Sequence, residues 1–569
     1  MTKAQSRRLN AVALPSLKQL LSYRREWLRG DVLAGLTVAA YLIPQCMAYG
    51  ELAGVEPVAG LWAILPPMVI YAVFGSSPQL SIGPESSTAV MTAVAIAPLA
   101  AARSETYISL AALLAIIMGV ICIVSYFARL GFLADLLSKP VLIGYMAGIA
   151  LIMIGGQLGK IGKIEIETDA FFSQVGEFIG KLQQAHSPTL ILSILVLVFL
   201  FGFQRRFPNA PIPLIAVLLS TIAVAIFKLD TRGVAIVGEI PAGLPGFAIP
   251  QVSLNDLGTL VASAIGISIV GYSDNVLTAR AFANRNNYKI DANQELLALG
   301  VANFGNGLMQ GFPISSSGSR TVIGDSLGSK SQLFSLVAMV AVILVLLFLR
   351  PILALFPNAA LGAIVIYAAT KLIEVEEFIR LYKFRRSEFI LAIATTLAVL
   401  ITDILVGVGI AVSLSVIELF SRVARPHDAV LGTVPSLAGF HDIDDWEGAK
   451  TVPGLVIYRY DAPLCFANAE NFKRRSLEAI EAELHPVEWF VLNMEANVEI
   501  DITAIDMLSE LRNELAAKNI VFVMTRVKQD LYLELKRAKF LKNNSAEHIY
   551  PTLHTAIAAF EERRSTFED

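Results

Sequence analysis

The sequence predicts a polytopic α-helical membrane protein that ends in a small cytosolic α/β domain. Three observations carry this. The 569 residues are 55% hydrophobic and 16% charged, with a mean hydropathy of +0.62, whereas a soluble domain carries about 25% charged residues. Long apolar runs follow one another between Asp31 and Arg422. Past Arg425 those runs stop, and charged residues with short β-type runs take over. The net charge of −3 offers no global basic field, which argues against a nucleic-acid partner.

Residues 1–30 read as a basic, amphipathic cytosolic segment on the membrane surface, with no cleavable signal peptide. Arg7, Arg8, Lys18, Arg24, Arg25 and Arg29 alternate there with Leu17, Leu20, Leu21, Tyr23 and Trp27. Residues 31–425 form the membrane domain. Its first runs lie near 32–50, 58–74, 84–101, 106–128, 137–157, 188–204 and 211–228. A second set lies near 257–281, 292–309, 319–328, 331–349, 357–373, 387–402 and 403–422. Several are shorter than the roughly 20 residues a crossing helix needs.

Basic residues cluster at Arg129 and Lys139, at Arg205 and Arg206, at Arg280, Arg285 and Lys289, and from Lys371 to Arg386. All four clusters fall on the side of the basic N-terminus, while the mildly acidic connection 164–186 falls on the other. This asymmetry predicts a plasma (inner) membrane protein with both termini cytoplasmic.

The two halves resemble each other. Each begins with a span that reads as interrupted, at 40–45 and at 270–275. Each then has a polar entry to its third span, at 81–88 and at 311–324. Seven runs per half is an odd number, so the halves would insert with opposite topology. Paired interruptions of this kind point to a transporter's midplane site. The alternation after 430, with β-type runs at 454–460, 489–494 and 520–525 and helical patterns between them, reads as one cytosolic domain over 430–569.

Chemistry concentrates in the polar entry 311–324. A charge at membrane depth costs roughly 2.5–3.5 kcal/mol, so Arg320 must face a cavity, a partner or a helix end. Few apolar residues follow it before Lys330, so its helix should start near the midplane, capped by Ser317 or Ser319. A helix N-terminus beside a guanidinium is an anion site; the alternative is that Arg320 simply ties helices together. Asp274 sits in a second apolar span, with Thr278 one turn on. Together with backbone carbonyls they could hold Na+, Asp274 alone could carry a proton, or Asp274 could form a fixed pair with Arg320. Gln45 and Tyr49, one turn apart after Pro44, could face the same cavity or bond another helix. Glu85, after Pro84, suits a helix start.

In the C-terminal domain Asp501 or Thr503 is a natural N-cap. Cys46, Cys122 and Cys465 form no ligand cluster, and no Gly-rich phosphate loop or HExxH motif is present. An enzyme is not indicated, and no cofactor is implied beyond Na+ as a coupling ion.

The motifs Leu42-Ile43-Pro44-Gln45-Cys46-Met47-Ala48-Tyr49, Ser81-Ile82-Gly83-Pro84, Gly271-Tyr272-Ser273-Asp274 and Ser319-Arg320, with the α/β tail, resemble the SulP family of anion transporters. The likeness is to the sulfate-permease type with a C-terminal STAS domain, and it covers nearly the whole chain. It implies fourteen spans as 7+7 inverted repeats, similar to uracil-permease-type transporters. It implies a core domain (spans 1–4 and 8–11) that moves against a gate domain (spans 5–7 and 12–14), in a homodimer. The substrate would sit between the N-termini of spans three and ten, at Gln45, Tyr49, Glu85, Ser319 and Arg320. Asp274 holds the cation-coupling position.

The implied function is secondary active transport of an inorganic oxyanion, sulfate first and bicarbonate second. Coupling would be to H+ or Na+ and the movement elevator-like. The STAS domain would be a regulatory site for a protein or nucleotide. Two departures matter. Several bicarbonate-carrying relatives lack an arginine at the Arg320 position. In phosphorylated STAS relatives a hydroxyl residue directly follows the aspartate, whereas here Ile502 follows Asp501 and Thr503 comes one place later. The rival readings are an uncoupled anion exchanger or channel, a STAS-centred membrane sensor, and a nucleobase permease, which would give Arg320 no task.

Overall fold

The computed structural model describes residues 14–568, apart from 136–137, 169, 208–209, 242, 252–255, 403, 436 and 542–547. Arg7 and Arg8, and the first residues of the 137–157 and 403–422 runs, lie outside the described residues. The chain divides into two compact units, Met1–Ser415 and Val416–Asp569.

The helical part opens with α1 (Pro15–Leu21) and α2 (Leu28–Leu52). Next come α3 (Pro57–Trp62), α4 (Leu65–Phe74), β1 (Ile82–Gly83), α5 (Ser86–Ile96), α6 (Glu105–Phe127) and α7 (Lys139–Gly162). Then follow α8 (Phe171–Gly180), α9 (Ser187–Arg206), α10 (Ile212–Phe227), α11 (Leu257–Asn286) and α12 (Ala292–Leu308). After these lie β2 (Ser315–Ser316), α13 (Gly318–Ser326), α14 (Leu333–Phe348), α15 (Arg350–Leu353) and α16 (Asn358–Leu372). The series ends with α17 (Val375–Phe384), α18 (Arg386–Ile401) and α19 (Ile404–Ala424).

Among the described residues every expected apolar run contains helix, although 58–74 is split into α3 and α4 and only Ser86–Ile96 of 84–101 is helical. Among the described residues, six helical segments are long and apolar enough to cross a membrane unaided. Large apolar side chains stay exposed along α9 (Ile191, Leu195, Val198) and α18 (Ile390, Ile401). Such a surface is unfavourable in water but normal against lipid.

The expected interruptions at 40–45 and 270–275 are absent. α2 runs unbroken for 25 residues with Pro44 inside it, and α11 for 30 residues through Gly271. Proline removes one N–H and crowds one earlier carbonyl, a defect that neighbouring helices at membrane depth can absorb. The polar entries at 81–88 and 311–324, by contrast, do lead into short helices, α5 and α13.

The helices pack in two groups joined through α2, which lies against α16 and α10 of the second as well as against helices of the first. α2 packs on α13 and α14, and α12 packs on α4 and α6, while α11 packs on α5 and α6. In the second group α7 packs on α16 and α18, and α9 on α10 and α16. Close contacts are made by glycines. A Cβ on Gly119 of α6 would stand 2.7 Å from the Gly300 carbonyl oxygen of α12, and one on Gly144 of α7 would collide with the Ala392 carbonyl of α18.

The second unit holds a six-stranded sheet in the order β4-β3-β5-β6-β7-β8: β3 (Asp428–Gly432), β4 (His441–Asp442), β5 (Leu455–Tyr460), β6 (Trp489–Asn493), β7 (Val521–Thr525) and β8 (Ile549–Tyr550). β5 to β8 are parallel, and β3 and β4 add antiparallel at one edge. Side-chain alternation sets the layers. Val456, Tyr458, Phe490, Leu492 and Phe522 face α20 (Ala469–Glu481), α21 (Ile502–Ala517) and α22 (Gln529–Arg537). Leu455, Ile457, Val491 and Val523 face α23 (Leu553–Glu568). Burial and the Asp428 carboxylate, which accepts from Tyr458 Oη at 2.7 Å, hold that hydroxyl well above the ordinary tyrosine range.

Candidate functional site

The two polar entries meet. β1 and β2 pair antiparallel, with Ile82 opposite Ser316 and Gly83 opposite Ser315. Ser317 N donates to the Ser81 carbonyl at 2.8 Å, and Ser81 N donates to Thr321 Oγ1 at 3.0 Å. Gly83 is required here: its φ is +155°, and a Cβ would press on Ile64 and stand 3.4 Å from Arg320 Nη2. From this pair α5 and α13 run apart with 11 and 9 residues, about 16 and 14 Å at ~1.5 Å per residue. Each is about half as long as the ~30 Å hydrocarbon thickness that a crossing helix must span. The first N–H groups of each have no intrahelical acceptor, and the two dipoles add positive potential at one point.

Gly318 and Ser319, the first residues of α13, are exposed, whereas Arg320 behind them is fully buried. Its Nη1 donates to the Pro84 carbonyl at 2.9 Å and to Gln45 Oε1 at 3.4 Å, and its Nε donates to Ser81 Oγ at 3.3 Å. Among the described residues Nη2 has no hydrogen-bond acceptor. The carboxylate that Arg320 approaches is Glu85, with Nη1 to Oε2 at 3.9 Å; no ion pair with Asp274 forms within 4.0 Å among the described residues. Arg320 thus clamps the two half-helices together and places its charge just behind their ends.

The other expected residues gather around it. Gln45 Nε2 donates to Tyr49 Oη at 2.9 Å, and Tyr49 lies near the Ser86 side chain. Ser86 Oγ donates to Glu85 Oε1 at 3.0 Å. Glu85 is the N-cap residue of α5 but makes no side-chain cap bond, and the same holds for Ser317 on α13. Ser317 and Ser319 instead share a hydroxyl contact at 3.2 Å. Asp274 comes to the same place, its Oδ2 accepting from Ser316 Oγ at 3.3 Å. Thr278 lies one turn along, half-buried, with no hydrogen bond to Asp274 among the described residues.

Sequence reasoning missed Tyr41, which lies near the Ser319 side chain, and the Ser81 and Ser316 hydroxyls. Tyr41, Gln45 and Tyr49 recur every fourth residue, one polar stripe on α2, and that spacing was the available signal. It also missed two buried acids. Asp31 accepts from Lys330 N at 2.7 Å and Ser331 Oγ at 2.7 Å. Glu295 accepts from Ser76 Oγ at 2.7 Å, Asn275 Nδ2 at 2.7 Å and Tyr71 Oη. In the second unit Asp501 caps α21, with Oδ1 accepting from Ala504 N at 2.9 Å, and its Oδ2 holds the Phe466 N–H at 2.7 Å. Thr503 is exposed on the first turn.

Comparison with known proteins follows this geometry. Residues 28–395 match the sulfate permease family, and residues 448–556 match the STAS domain. A probable sulfate transporter of Mycobacterium tuberculosis is 55% identical over 549 residues, 96% of this chain and 98% of that one. The chloroplastic sulfate transporter 4.1 of Arabidopsis thaliana is 30% identical over 562 residues, 95% of this chain and 82% of that one. The fold matches the murine solute carrier 26 family member A9 anion transporter at TM-score 0.87 and 23% identity, covering 99% of this chain and 95% of that one. It matches the transmembrane domain of a cyanobacterial bicarbonate transporter at TM-score 0.61 and 22% identity, covering 69% and 98%. With the permease match spanning most of the helical unit and a relative more than half identical along nearly the whole chain, the chain belongs to the sulfate permease family and carries a STAS domain.

Proposed function

We propose that the protein is a secondary active transporter of an inorganic oxyanion in the plasma (inner) membrane, with sulfate the first substrate and bicarbonate the second. It works as a transporter and not as an enzyme. The observation that carries this reading is the meeting of two half-helix N-termini in front of a wholly buried arginine. Anion oxygens would take the free N–H groups of α5 and α13 and the Ser319 hydroxyl. Arg320, enclosed one residue behind, supplies a full positive charge in a low-dielectric setting, where it acts strongly. Gln45, Tyr41 and Tyr49 close one side. The names of the relatives favour sulfate, and a doubly charged oxyanion gains most from a full charge added to two dipoles.

Asp274 carries the coupling cation, H+ or Na+, close to the same helix ends; with Na+, Thr278 and nearby carbonyls would complete the ligands. The helices are read as fourteen spans in two inverted sets of seven, with both termini cytoplasmic. The core is α2 to α6 with α11 to α14, and the gate is α7, α9 and α10 with α16, α18 and α19. The core carries the site across in an elevator-like movement, within a homodimer, and the STAS domain regulates it by binding a protein or nucleotide.

The test is liposome uptake of labelled sulfate and bicarbonate under imposed Na+ or proton gradients. Truncating one partner of a desolvated charge contact costs about 2–5 kcal/mol, so Arg320→Ala loses sulfate uptake by roughly 30-fold or more. Arg320→Lys, which keeps the charge, retains more than Arg320→Ala. Asp274→Asn loses gradient-driven accumulation. Unchanged uptake in Arg320→Ala would sink the anion site, and accumulation independent of both cations would remove the coupling.

A further inference from the structure

On the face opposite the basic loops, two helices from different groups are joined by an ion pair. Glu51 lies in the last turn of α2, and its side chain is 7% exposed; Lys160 lies in the last turn of α7. Lys160 Nζ stands 3.1 Å from Glu51 Oε1, and Arg103 Nη2, from the connection before α6, reaches the same oxygen at 3.8 Å. One nearly buried carboxylate therefore carries two cations, one from each side of the seam.

The seam beneath is loosely filled. A cavity of about 600 Å³ lies there, lined by Val90 and Ala93 of α5, Met153 and Gln157 of α7, and Leu400 of α18. A Cβ on Gly156 of α7 would meet nothing within 4 Å. Well-packed interiors hold few voids larger than a water molecule, so this seam differs from the glycine-tight contacts inside either group.

We infer that the Glu51–Lys160 pair is a latch that holds the transporter closed on its outer face, and that outward opening breaks it. This rests on the moving-core reading above, which puts Glu51 and Arg103 on the moving body and Lys160 on the fixed one. Breaking the pair separates charges that are partly out of water, and the closed state alone gains from it. Removing one partner therefore raises the outward-open population, and affinity measured from each side shifts in opposite directions.

The experiment uses the full-length protein in oriented proteoliposomes, comparing wild type, Glu51→Gln, Lys160→Met and the charge swap Glu51→Lys with Lys160→Glu. Partly exposed pairs contribute about 0.2–1 kcal/mol, so each single variant should lower the external half-saturation for sulfate and raise the internal one, the two changes multiplying to about five-fold at most. The swap turns Arg103, which also reaches the carboxylate of Glu51, into a repelling neighbour, so it should recover only part of each shift. Shifts in the same direction on both sides, or no shift, would overturn the latch. External labelling of Ala93→Cys by a membrane-impermeant thiol reagent, with the three native cysteines replaced, is a readout independent of substrate. Labelling should speed up in both single variants, and an unchanged rate overturns the latch. Faster labelling in a protein that moves no sulfate would keep the latch and refute the substrate.

Discussion

Two stretches of one helix make opposite contacts. Gly144 and Gly148 of α7 are pressed on α18, where a Cβ on Gly144 would collide with the Ala392 carbonyl and one on Gly148 would stand 2.8 Å from Val399. Further along α7, Gly156 faces open space and Lys160 crosses to another helix group through a polar contact. α6 and α12 repeat the first pattern, with a Cβ on Gly307 only 2.5 Å from the Ala112 carbonyl. Small residues let helix backbones approach closely, and that contact is what membrane helices use for cohesion. The glycine-lined seams are thus closely packed, and the cavity-lined seam is not.

Substitutions on α7 and its counterparts can break this contrast. The largest effect should come from Gly144→Val, which must move backbone: a loss of about 3 kcal/mol or more, or failure to yield folded protein, read by thermal melting in detergent. Gly119→Ala presses on the Phe304 N–H and the Gly300 carbonyl and should cost about 1–3 kcal/mol. In the second unit Asp501→Ala removes a helix cap and the bond to the Phe466 N–H, a loss of about 1–2 kcal/mol. Hydrogen exchange at the first turn of α21 in the full chain would report it. Gly156→Ala should be smallest, neutral or stabilising by less than about 1 kcal/mol. A large destabilisation there would show that the seam is packed as tightly as the others.

Much of this was legible in the sequence, because the bilayer makes local composition decisive. A polar, Gly/Pro-bearing segment amid apolar runs can satisfy its backbone only inside protein, so 81–88 and 311–324 declared themselves, and Arg320 with them. The half-helix starting at Gly318 followed from the few residues left before Lys330. Pro44 and Gly271 misled, since a proline or glycine lowers helix preference without deciding the outcome when neighbouring helices supply the packing. No periodicity encodes the partners of Arg320: the Pro84 carbonyl and Gln45 are 236 and 275 residues away, and only the family resemblance placed Gln45 at the same site. In the second unit the buried strands β5, β6 and β7 were legible from their apolar runs, but β3 and the edge strands β4 and β8 were not. Two-residue β4 and β8 carry no period, and β3 was lost behind the change from apolar to charged sequence.

The pairing of β1 with β2 also bears on how the molecule is made. Ser81 and Arg320, which meet there, are 239 residues apart. When the ribosome has delivered only the first half, the backbone of Ser81–Glu85 and the open end of α5 have no partners. Unsatisfied backbone groups cost several kcal/mol in hydrocarbon, so during synthesis that segment must stay wet or be sheltered by the insertion machinery. The junction of the two half-helices therefore closes among the last steps of assembly. A nascent chain stalled before β2 should leave Ser87 reactive to water-borne reagents when replaced by cysteine, and release of the full chain should protect it.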